Sequence, residues 1–194
     1  MEVYRLEQDD LTLLSENSMD KERHLEERLI RAESAKIGDV EMLYVSRQRG
    51  IDEGGRFDIL GVDEDGNMVI VELKRGAAKR EVIAQALEYA SKIREAEYGY
   101  IQQQYQDFRS AEQDSDIALD LNEAHAEHFD LDEPIGPEDF NADQRLVIIA
   151  SDIQESEDLL RMADFLREHE IDVVPVEYSW YRDETEDIEL LTTD

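Results

Sequence analysis

Three charged residues stand inside the most apolar stretch of this chain. Asp58 precedes an Ile-Leu pair, and Glu72, fourteen positions later, follows Val-Ile-Val and comes two positions before Lys74. Burying carboxylates and an ammonium among aliphatic side chains costs several kcal/mol unless the charges pair or hold a metal. Stability is therefore given up at this place, and the return we expect is a metal-dependent active site.

The residue types define which chemistry such a site could do. Asp58 and Glu72 offer hard oxygen ligands with no Cys in the chain and no His nearby, a set that suits Mg²⁺ or Mn²⁺ better than zinc. Lys74 could orient or deprotonate an attacking water, and its ammonium could offset the charge that builds on a phosphate. These groups suffice to hydrolyse a phosphodiester. The alternative is an ordinary hairpin with an ion pair on a solvated face.

A β-hairpin must position these groups. The Asp63–Gly66 segment reads Asp-Glu-Asp-Gly, and its Asp-Gly step predicts a tight turn. Period-2 alternation puts Glu72 and Lys74 on one side of their strand, and a hairpin then brings Asp58 next to Glu72 on the neighbouring strand. The three predicted strands are residues 41–47, 56–61 and 67–73, with a Gly-rich turn at 50–55 between the first two.

Two helices flank this hairpin in the sequence. The first is predicted over 20–33, with Ser18 or Asp20 as N-cap and with Leu25, Leu29, Ile30 and Ala32 facing inward. On it, Glu22 and Glu26 lie one turn apart and share a face. The second is predicted over 79–97, with Gln85 and Tyr89 bordering its apolar stripe of Val82, Ile83, Ala86, Leu87, Ala90 and Ile93.

The remaining residues complete an α/β pattern. Residues 98–143 are acidic and weakly periodic, and they are interpreted as an irregular helical insertion or lid. A buried strand at 145–150, a helix through Leu159, Leu160, Ala163 and Leu166, and a strand at 171–180 form a βαβ unit. The order αβββαβ followed by αβ, over 194 residues without repeats or a linker, predicts one domain with its core at about 20–97 and 145–182.

At this point the residues resemble the PD-(D/E)XK restriction-like nuclease superfamily. The resemblance is carried by Asp58, Glu72-Leu73-Lys74, Gln85-Ala-Leu-Glu-Tyr89 and Glu22, in an αβββαβ order that is similar to the core of that superfamily. The stretch from Gly55 to Gly76 is more narrowly similar to the catalytic domain of archaeal EndoMS/NucS endonucleases and their standalone relatives. The acidic insertion lies outside the resemblance, and so does the N-terminal domain of the mismatch endonucleases, so mismatch specificity does not carry over.

The resemblance implies a restriction-endonuclease-like fold and a role for each matched residue. Asp58 and Glu72 would hold Mg²⁺ or Mn²⁺ together with the Leu73 carbonyl, and Lys74 would handle the water. Gln85 and Tyr89 would line the site, Gln85 as a further catalytic residue and Tyr89 as a DNA contact. Glu22 would be the helical carboxylate reaching in, with Glu26 as the open alternative. The usual Pro before the first Asp is Phe57 here, which the mismatch-nuclease branch tolerates.

The charge of the chain indicates the salt concentration in which the protein works. The chain has 51 acidic and 20 basic residues, a net charge of −31, and only five of the cations are Lys. Concentrated salt shortens the Debye length to about 3 Å near 1 M, so a surface of carboxylates is tolerated there. We therefore expect a halophilic archaeal protein; an acidic disordered protein is disfavoured by 41% apolar residues with clear periodicity.

Residues 47–80 form a stretch without net charge, with seven cations against seven anions. A contact with a polyanion is expected on that face, by Arg47, Arg49, Arg56, Arg75 and Lys79, although a solvated charged face is equally compatible. His125 and His128 on an acidic helix favour solvated side chains over a metal site. Tyr178, Trp180 and Tyr181 favour core and edge packing over base stacking, while Tyr100 and Tyr105 carry no functional signal.

These observations predict a cytoplasmic DNA endonuclease. No membrane span is expected, because no apolar run exceeds the five residues of Leu146–Ala150. DNA is the expected partner, and a homodimer is possible because two strands would be cut. Two other classes stay open: a catalytically silent nucleic-acid-binding or complex-forming module with the same fold, and a structural acidic protein or DNA mimic.

Overall fold

The computed structural model describes residues 2–7, 10–17, 22–32, 36–47, 57–112, 120–183 and 188–193. Their elements alternate in class along the chain, as the sequence indicates. In order they are β1 (Tyr4–Glu7), β2 (Asp10–Leu13), β3 (Ser15–Asn17), α1 (Glu22–Arg31), β4 (Leu43–Arg47), β5 (Ile59–Val62), β6 (Met68–Lys74), α2 (Glu81–Ile93), α3 (Tyr98–Glu112), α4 (Leu121–His128), β7 (Gln144–Ala150), α5 (Glu157–Glu168), β8 (Asp172–Asp183) and β9 (Ile188–Thr193).

A mixed sheet forms the centre of the described structure. Its strand order is β3-β8-β7-β6-β5-β4, with β9 paired to β8 and with β1 and β2 forming a separate hairpin. Strands β4, β5 and β6 are antiparallel neighbours, whereas β6, β7 and β8 run parallel and are connected through helices. The predicted α/β class with a mixed central sheet flanked by helices, and its βαβ unit at β7-α5-β8, are confirmed.

Each face of the sheet buries its own apolar layer. Val69, Val71 and Leu73 pack with α1 on one face, while Ile70 packs with α2 and α5 on the other. This alternation along β6 is the predicted one, and it leaves Glu72 on the same side as Ile70. Because both faces of β6 are covered, any charge on this strand must be compensated inside the protein.

The turn between β5 and β6 fixes the register of the hairpin. Gly66 has φ +86°, and the Asp63 carboxylate accepts hydrogen bonds from the backbone N–H groups of Asp65 at 3.1 Å and Asn67 at 2.8 Å. The resulting pairs include Leu60 with Ile70. The predicted hairpin is therefore confirmed, with strands that begin and end one to three residues from the predicted bounds.

Gly66 and Gly99 offer a matched pair for testing this turn. A Cβ on Gly66 would lie 2.8 Å from Ile135 Cδ1 and 2.9 Å from the Asp139 carbonyl oxygen, at a positive φ, whereas a Cβ on Gly99 meets nothing within 4 Å. Gly66→Ala should lower the free energy of unfolding by about 2 kcal/mol. Gly99→Ala, within α3, should raise it by up to about 1 kcal/mol. Chemical denaturation measures both, and equal effects would contradict the account of the turn.

The acidic segment 98–143 is more regular than predicted. It contains α3 and α4, and Ile101, Tyr105 and Leu121 are buried in the core, with exposed fractions of 2% or less. Helix α3 packs against β4 at the sheet edge. The predicted helical character is confirmed by α3 and α4, but residues 98–112 and 120–143 belong to the core and not to a lid, because their apolar side chains are core members. Tyr105, which carried no signal in the sequence, is one of the largest buried side chains.

Other sequence-based details differ from the structure. The inward Leu25, Leu29 and Ile30 of α1 are confirmed, but Ala32 is exposed because the helix ends at Arg31. Helix α2 is shorter than predicted at both ends. Strands β1, β2, β3 and β9 were not predicted. The N-cap candidates Ser18 and Asp20 and the Gly-rich turn at 50–55 lie outside the described residues. Of the helices within the described ranges, none combines the length and apolar content that a membrane crossing needs.

Candidate active site

The hairpin brings Asp58 to the strand that carries Glu72. Asp58 directly precedes β5, whose Ile59 pairs with Val71, so the same register continues to Asp58 opposite Glu72. The Asp58 Oδ2 atom accepts a hydrogen bond of 2.8 Å from the backbone N–H of Leu73. The carboxylate of Asp58 is thus held against the carboxyl end of β6, as the alternation predicted.

Glu72 is the residue of the site whose charged form is most disfavoured by its surroundings. Its side chain is 3% exposed, and its Oε1 atom is buried without a hydrogen-bond partner among the described residues. Burial, together with the neighbouring charge of Asp58, raises the pKa of the Glu72 carboxyl from its ordinary 4.5 to about 7. A carboxylate kept in such surroundings is destabilising unless a cation satisfies it.

Lys74 lies beside Glu72 at the open end of the strand. Its Nζ atom donates to Glu72 Oε2 at 3.1 Å, and its side chain is 25% exposed. Burial alone would lower the pKa of this ammonium, but the adjacent Glu72 carboxylate outweighs burial and raises it. Lys74 therefore satisfies one oxygen of Glu72 and leaves Oε1 to another partner.

Glu22 is the member of the Glu22–Glu26 pair that reaches this cluster. Its Oε1 atom accepts a hydrogen bond of 3.3 Å from the backbone N–H of Arg75, and its charge contributes to the raised pKa of Glu72. Glu26, one turn further along α1, is buried with 2% of its surface exposed. The structure thus brings Glu22, Asp58, Glu72 and Lys74 together.

Asp58 and Glu72 offer some of the ligands that a divalent ion needs. The partnerless Glu72 Oε1 beside the Asp58 carboxylate is the arrangement a hard cation would satisfy. Yet within the described residues no group of three or more His, Asp or Glu side chains is arranged to hold a metal ion. Mg²⁺ commonly takes only one or two carboxylates and fills its other positions with water, so two carboxylates and the Leu73 carbonyl remain a sufficient set.

Gln85 and Tyr89 occupy different surroundings on α2. Gln85 is exposed, whereas Tyr89 is 8% exposed and belongs to the apolar layer beneath the helix. The burial of Tyr89 is that of a packing residue. The predicted roles of Gln85 in catalysis and of Tyr89 in contacting DNA stay predictions.

The cations proposed to contact DNA are only partly described. Arg75 and Lys79 are exposed between β6 and α2, and Arg47 is half-buried at the end of β4. Arg49 and Arg56 lie outside the described residues. Of these cations, Arg75 lies at the carboxyl end of β6, where its backbone is bonded to Glu22.

The histidines of α4 and the aromatic residues of β8, which the sequence indicates to be without a functional role, can be compared with the structure. His125 is fully buried among Phe129 and Phe140, and its Nε2 lies 2.8 Å from the Asp63 carbonyl oxygen, which makes it a core histidine that braces the hairpin turn. Tyr178 and Tyr181 are 3% and 2% exposed, which confirms them as packing residues. Neither solvated histidines nor a metal site describes His125.

Sequence reasoning missed Ser151 and Tyr178 as neighbours of the site. The backbone N–H of Gly76 donates to Ser151 Oγ at 3.0 Å, and Ser151 is hydrogen-bonded to the Tyr178 hydroxyl. Burial raises the pKa of Tyr178. A signal did exist, because parallel strands such as β6, β7 and β8 place their carboxyl ends at one edge of a sheet.

Fold and site together define a mixed α/β domain with a carboxylate–lysine cluster at the carboxyl end of a central strand. No protein-family model and no curated protein sequence matches the chain.

Among solved structures, the chain is similar to a repair endonuclease from Pyrococcus abyssi, with a TM-score of 0.44 and 16% identity over 84% of this chain and 50% of that one. It is also similar to EndoMS in an EndoMS–dsDNA2 complex and in apo form, each with a TM-score of 0.43, at 15% and 16% identity, over 91% of this chain and 65% of those chains. The chain thus spans half to just under two-thirds of the length of these proteins, and the likeness is distant.

Proposed function

We propose that this protein is a divalent-metal-dependent DNA endonuclease that hydrolyses phosphodiester bonds, in DNA repair or defence. The observation that carries the proposal is Glu72: a buried carboxylate with one oxygen bonded to Lys74 and the other without a partner in the described structure, next to Asp58. A protein gains nothing in stability from such a group, so a cation and a reaction are its best explanation.

Each residue of the cluster has a role in this proposal. Asp58 and Glu72, with the Leu73 carbonyl, would hold Mg²⁺ or Mn²⁺. When bound, the ion supplies a Lewis acid for a phosphate oxygen and lowers the pKa of water. Lys74, held in place by Glu72 Oε2, presents N–H donors that orient the attacking water and stabilise negative charge on the phosphate. Glu22 fixes the backbone at Arg75 and so keeps the end of β6 in position.

A chain with a net charge of −31 repels DNA as a whole, so DNA binding needs favourable contacts confined to one part of the surface. Phosphate contacts weaken steeply as salt rises, because releasing the counterions condensed on DNA gains less entropy when the bulk salt is already concentrated. If the protein works in concentrated salt, as we propose from its acidic and Lys-poor composition, binding must depend on the ion, on shape and on a few cations. Arg75 and Lys79, both exposed on the segment that follows β6, could serve as these cations.

The experiment is a cleavage assay on DNA at high salt, with Mg²⁺, with Mn²⁺ and with EDTA. We expect cutting or nicking with either ion and none with EDTA, and Asp58→Asn should leave less than about one-hundredth of the wild-type rate. Asp132→Asn, an exposed carboxylate in the loop after α4, is the matched control and should cut normally. Equal rates for wild type and Asp58→Asn would remove the proposal.

A second candidate is a catalytically silent nucleic-acid-binding or complex-forming module with the same fold. It is favoured by one observation: the described residues hold no ready group of three metal-ligating side chains. This candidate predicts tight DNA binding that no divalent ion converts into cleavage. The same assay, followed by electrophoretic mobility shift, separates it from the nuclease.

A further inference from the structure

A cavity of about 310 Å³ adjoins the candidate active site at the carboxyl ends of β7 and β8. Its wall is shared with the site, because Arg75 lines the cavity while its backbone N–H is bonded to Glu22. The other residues that matter here are Ser151, Asp152, Tyr178 and Trp180. A group bound in this cavity would therefore lie next to the end of β6, where Glu22 holds the Arg75 backbone.

Hydrogen bonds build the polar side of the cavity. Ser151 Oγ accepts from the Gly76 N–H at 3.0 Å, donates to Asp152 Oδ2 at 3.1 Å and contacts the Tyr178 hydroxyl. Gly76 follows Arg75 and has φ +78°. The loop that leaves the catalytic strand is thus tied to β7 and β8 through one hydroxyl group, which gives the cavity a defined shape.

Aromatic rings build the other side. Tyr178 and Trp180 are two positions apart on β8 and so project from the same face of that strand. The Arg28 guanidinium lies 5.6 Å from the centroid of the Trp180 ring, and the indole Nε1 is buried without a hydrogen-bond partner in the part of the chain that the structure describes. The partly exposed Trp180 is thus the aromatic side chain that a ligand in the cavity can contact.

The combination of groups selects a class of ligand. The partly exposed Trp180 ring can stack on a planar heterocycle, the Asp152 carboxylate accepts hydrogen bonds from exocyclic amino groups, and Arg75 suits a phosphate. We propose that this cavity binds one nucleobase of the strand that is cut, next to the scissile phosphate. The proposal rests on the proposed nuclease function and names the part of the substrate that the chain reads.

This assignment also addresses the affinity of an acidic protein for DNA in salt. Phosphate contacts lose strength as counterions accumulate, whereas stacking of a base on an aromatic ring involves no net charge. A chain with a net charge of −31 therefore gains salt-tolerant affinity from a base-binding cavity. The volume of about 310 Å³ is large enough for a single nucleobase.

Trp180 is the only tryptophan of the chain, so its fluorescence reports directly on the cavity. The full chain is titrated, with Mg²⁺ and with EDTA, against a short single-stranded oligodeoxyadenylate and against the same backbone made of abasic sites. We expect the adenine strand to quench Trp180 and to bind at least about tenfold more tightly than the abasic strand. Asp152→Asn should weaken adenine binding several-fold, and Asp132→Asn should not.

Equal quenching by the two strands, or none by either, in both buffers would overturn the cavity assignment, as would unchanged binding by Asp152→Asn. The proposed function fails separately. Base-dependent quenching without cutting under any divalent ion keeps the cavity and removes the nuclease. Cutting with equal quenching by both strands keeps the nuclease and removes the cavity.

Discussion

Replacing Lys74 with methionine should slow DNA cleavage by about 10²- to 10⁴-fold while leaving the protein folded. Methionine keeps much of the apolar stem and removes the ammonium that lies 3.1 Å from Glu72 Oε2. The loss is expected because no other described cation is bonded to this carboxylate to orient water or to offset charge on the phosphate. Single-turnover cleavage with saturating Mg²⁺ measures the chemical step.

Measuring the affinity for Mn²⁺ distinguishes the loss of the Lys74 ammonium from a general disruption of the site. Removing a cation from the neighbourhood of two carboxylates should leave the affinity for Mn²⁺ unchanged or tighten it, because one source of repulsion is gone. Lys36→Met is the matched control, since Lys36 pairs with Glu41 at 2.7 Å on the exposed surface. A Lys74→Met protein that cuts as fast as Lys36→Met would contradict the role given to the ammonium.

Glu72→Gln should stabilise the metal-free protein at pH 8 by about 3 kcal/mol. The carboxyl has an ordinary pKa of 4.5 and a pKa of about 7 in the fold, where burial is the main cause and Asp58 the next. Each tenfold change in an equilibrium constant is worth about 1.4 kcal/mol, which sets the size of the effect. At neutral pH the charged Glu72 lowers the free energy of unfolding, which is expected of a residue that is kept for activity and not for stability.

The sign of the pH dependence follows from the direction of the pKa shift. The folded protein holds this proton more tightly than the unfolded chain does, so the stability contributed by protonated Glu72 is complete below pH 4.5 and is lost as pH rises through about 7. Wild type and Glu72→Gln should therefore be similarly stable near pH 4.5 and diverge up to pH 8.

Denaturant unfolding in EDTA across this range gives the difference between the two proteins, in which the other carboxylates cancel. Glu133→Gln, exposed in the loop after α4, should run parallel to wild type at every pH. A Glu72→Gln protein that also runs parallel to wild type would show that Glu72 is not the strained group described above.

The hairpin could be predicted from sequence because its determinants are local. The Asp-Gly step sets the turn, and period-2 alternation assigns Glu72 to the side of Ile70 whichever elements pack on that face. The choice between Glu22 and Glu26 could not be made in the same way. Both share one face of α1, and the docking of that helix on the sheet decides which carboxylate reaches Arg75.

Two other features were hidden for different physical reasons. In α3 the spacing of Ile101, Tyr105 and Phe108 is helical, but the surrounding acidic residues mask the stripe; all three are buried. Strands β3 and β9 are short or terminal and are defined by pairing with β8, a contact across most of the chain that no local pattern reveals. The cavity beside Ser151 depends on the same long-range pairing.

Diffraction from crystals of the protein soaked in Mn²⁺, recorded for the anomalous signal of that ion, tests the central claim most directly. We expect one strong peak within coordination distance of the Asp58 carboxylate and Glu72 Oε1, the buried oxygen that has no partner among the described residues. The peak should be absent from Glu72→Ala crystals. A wild-type structure with Mn²⁺ bound elsewhere, and with Glu72 Oε1 bonded to a protein donor instead, would contradict the account.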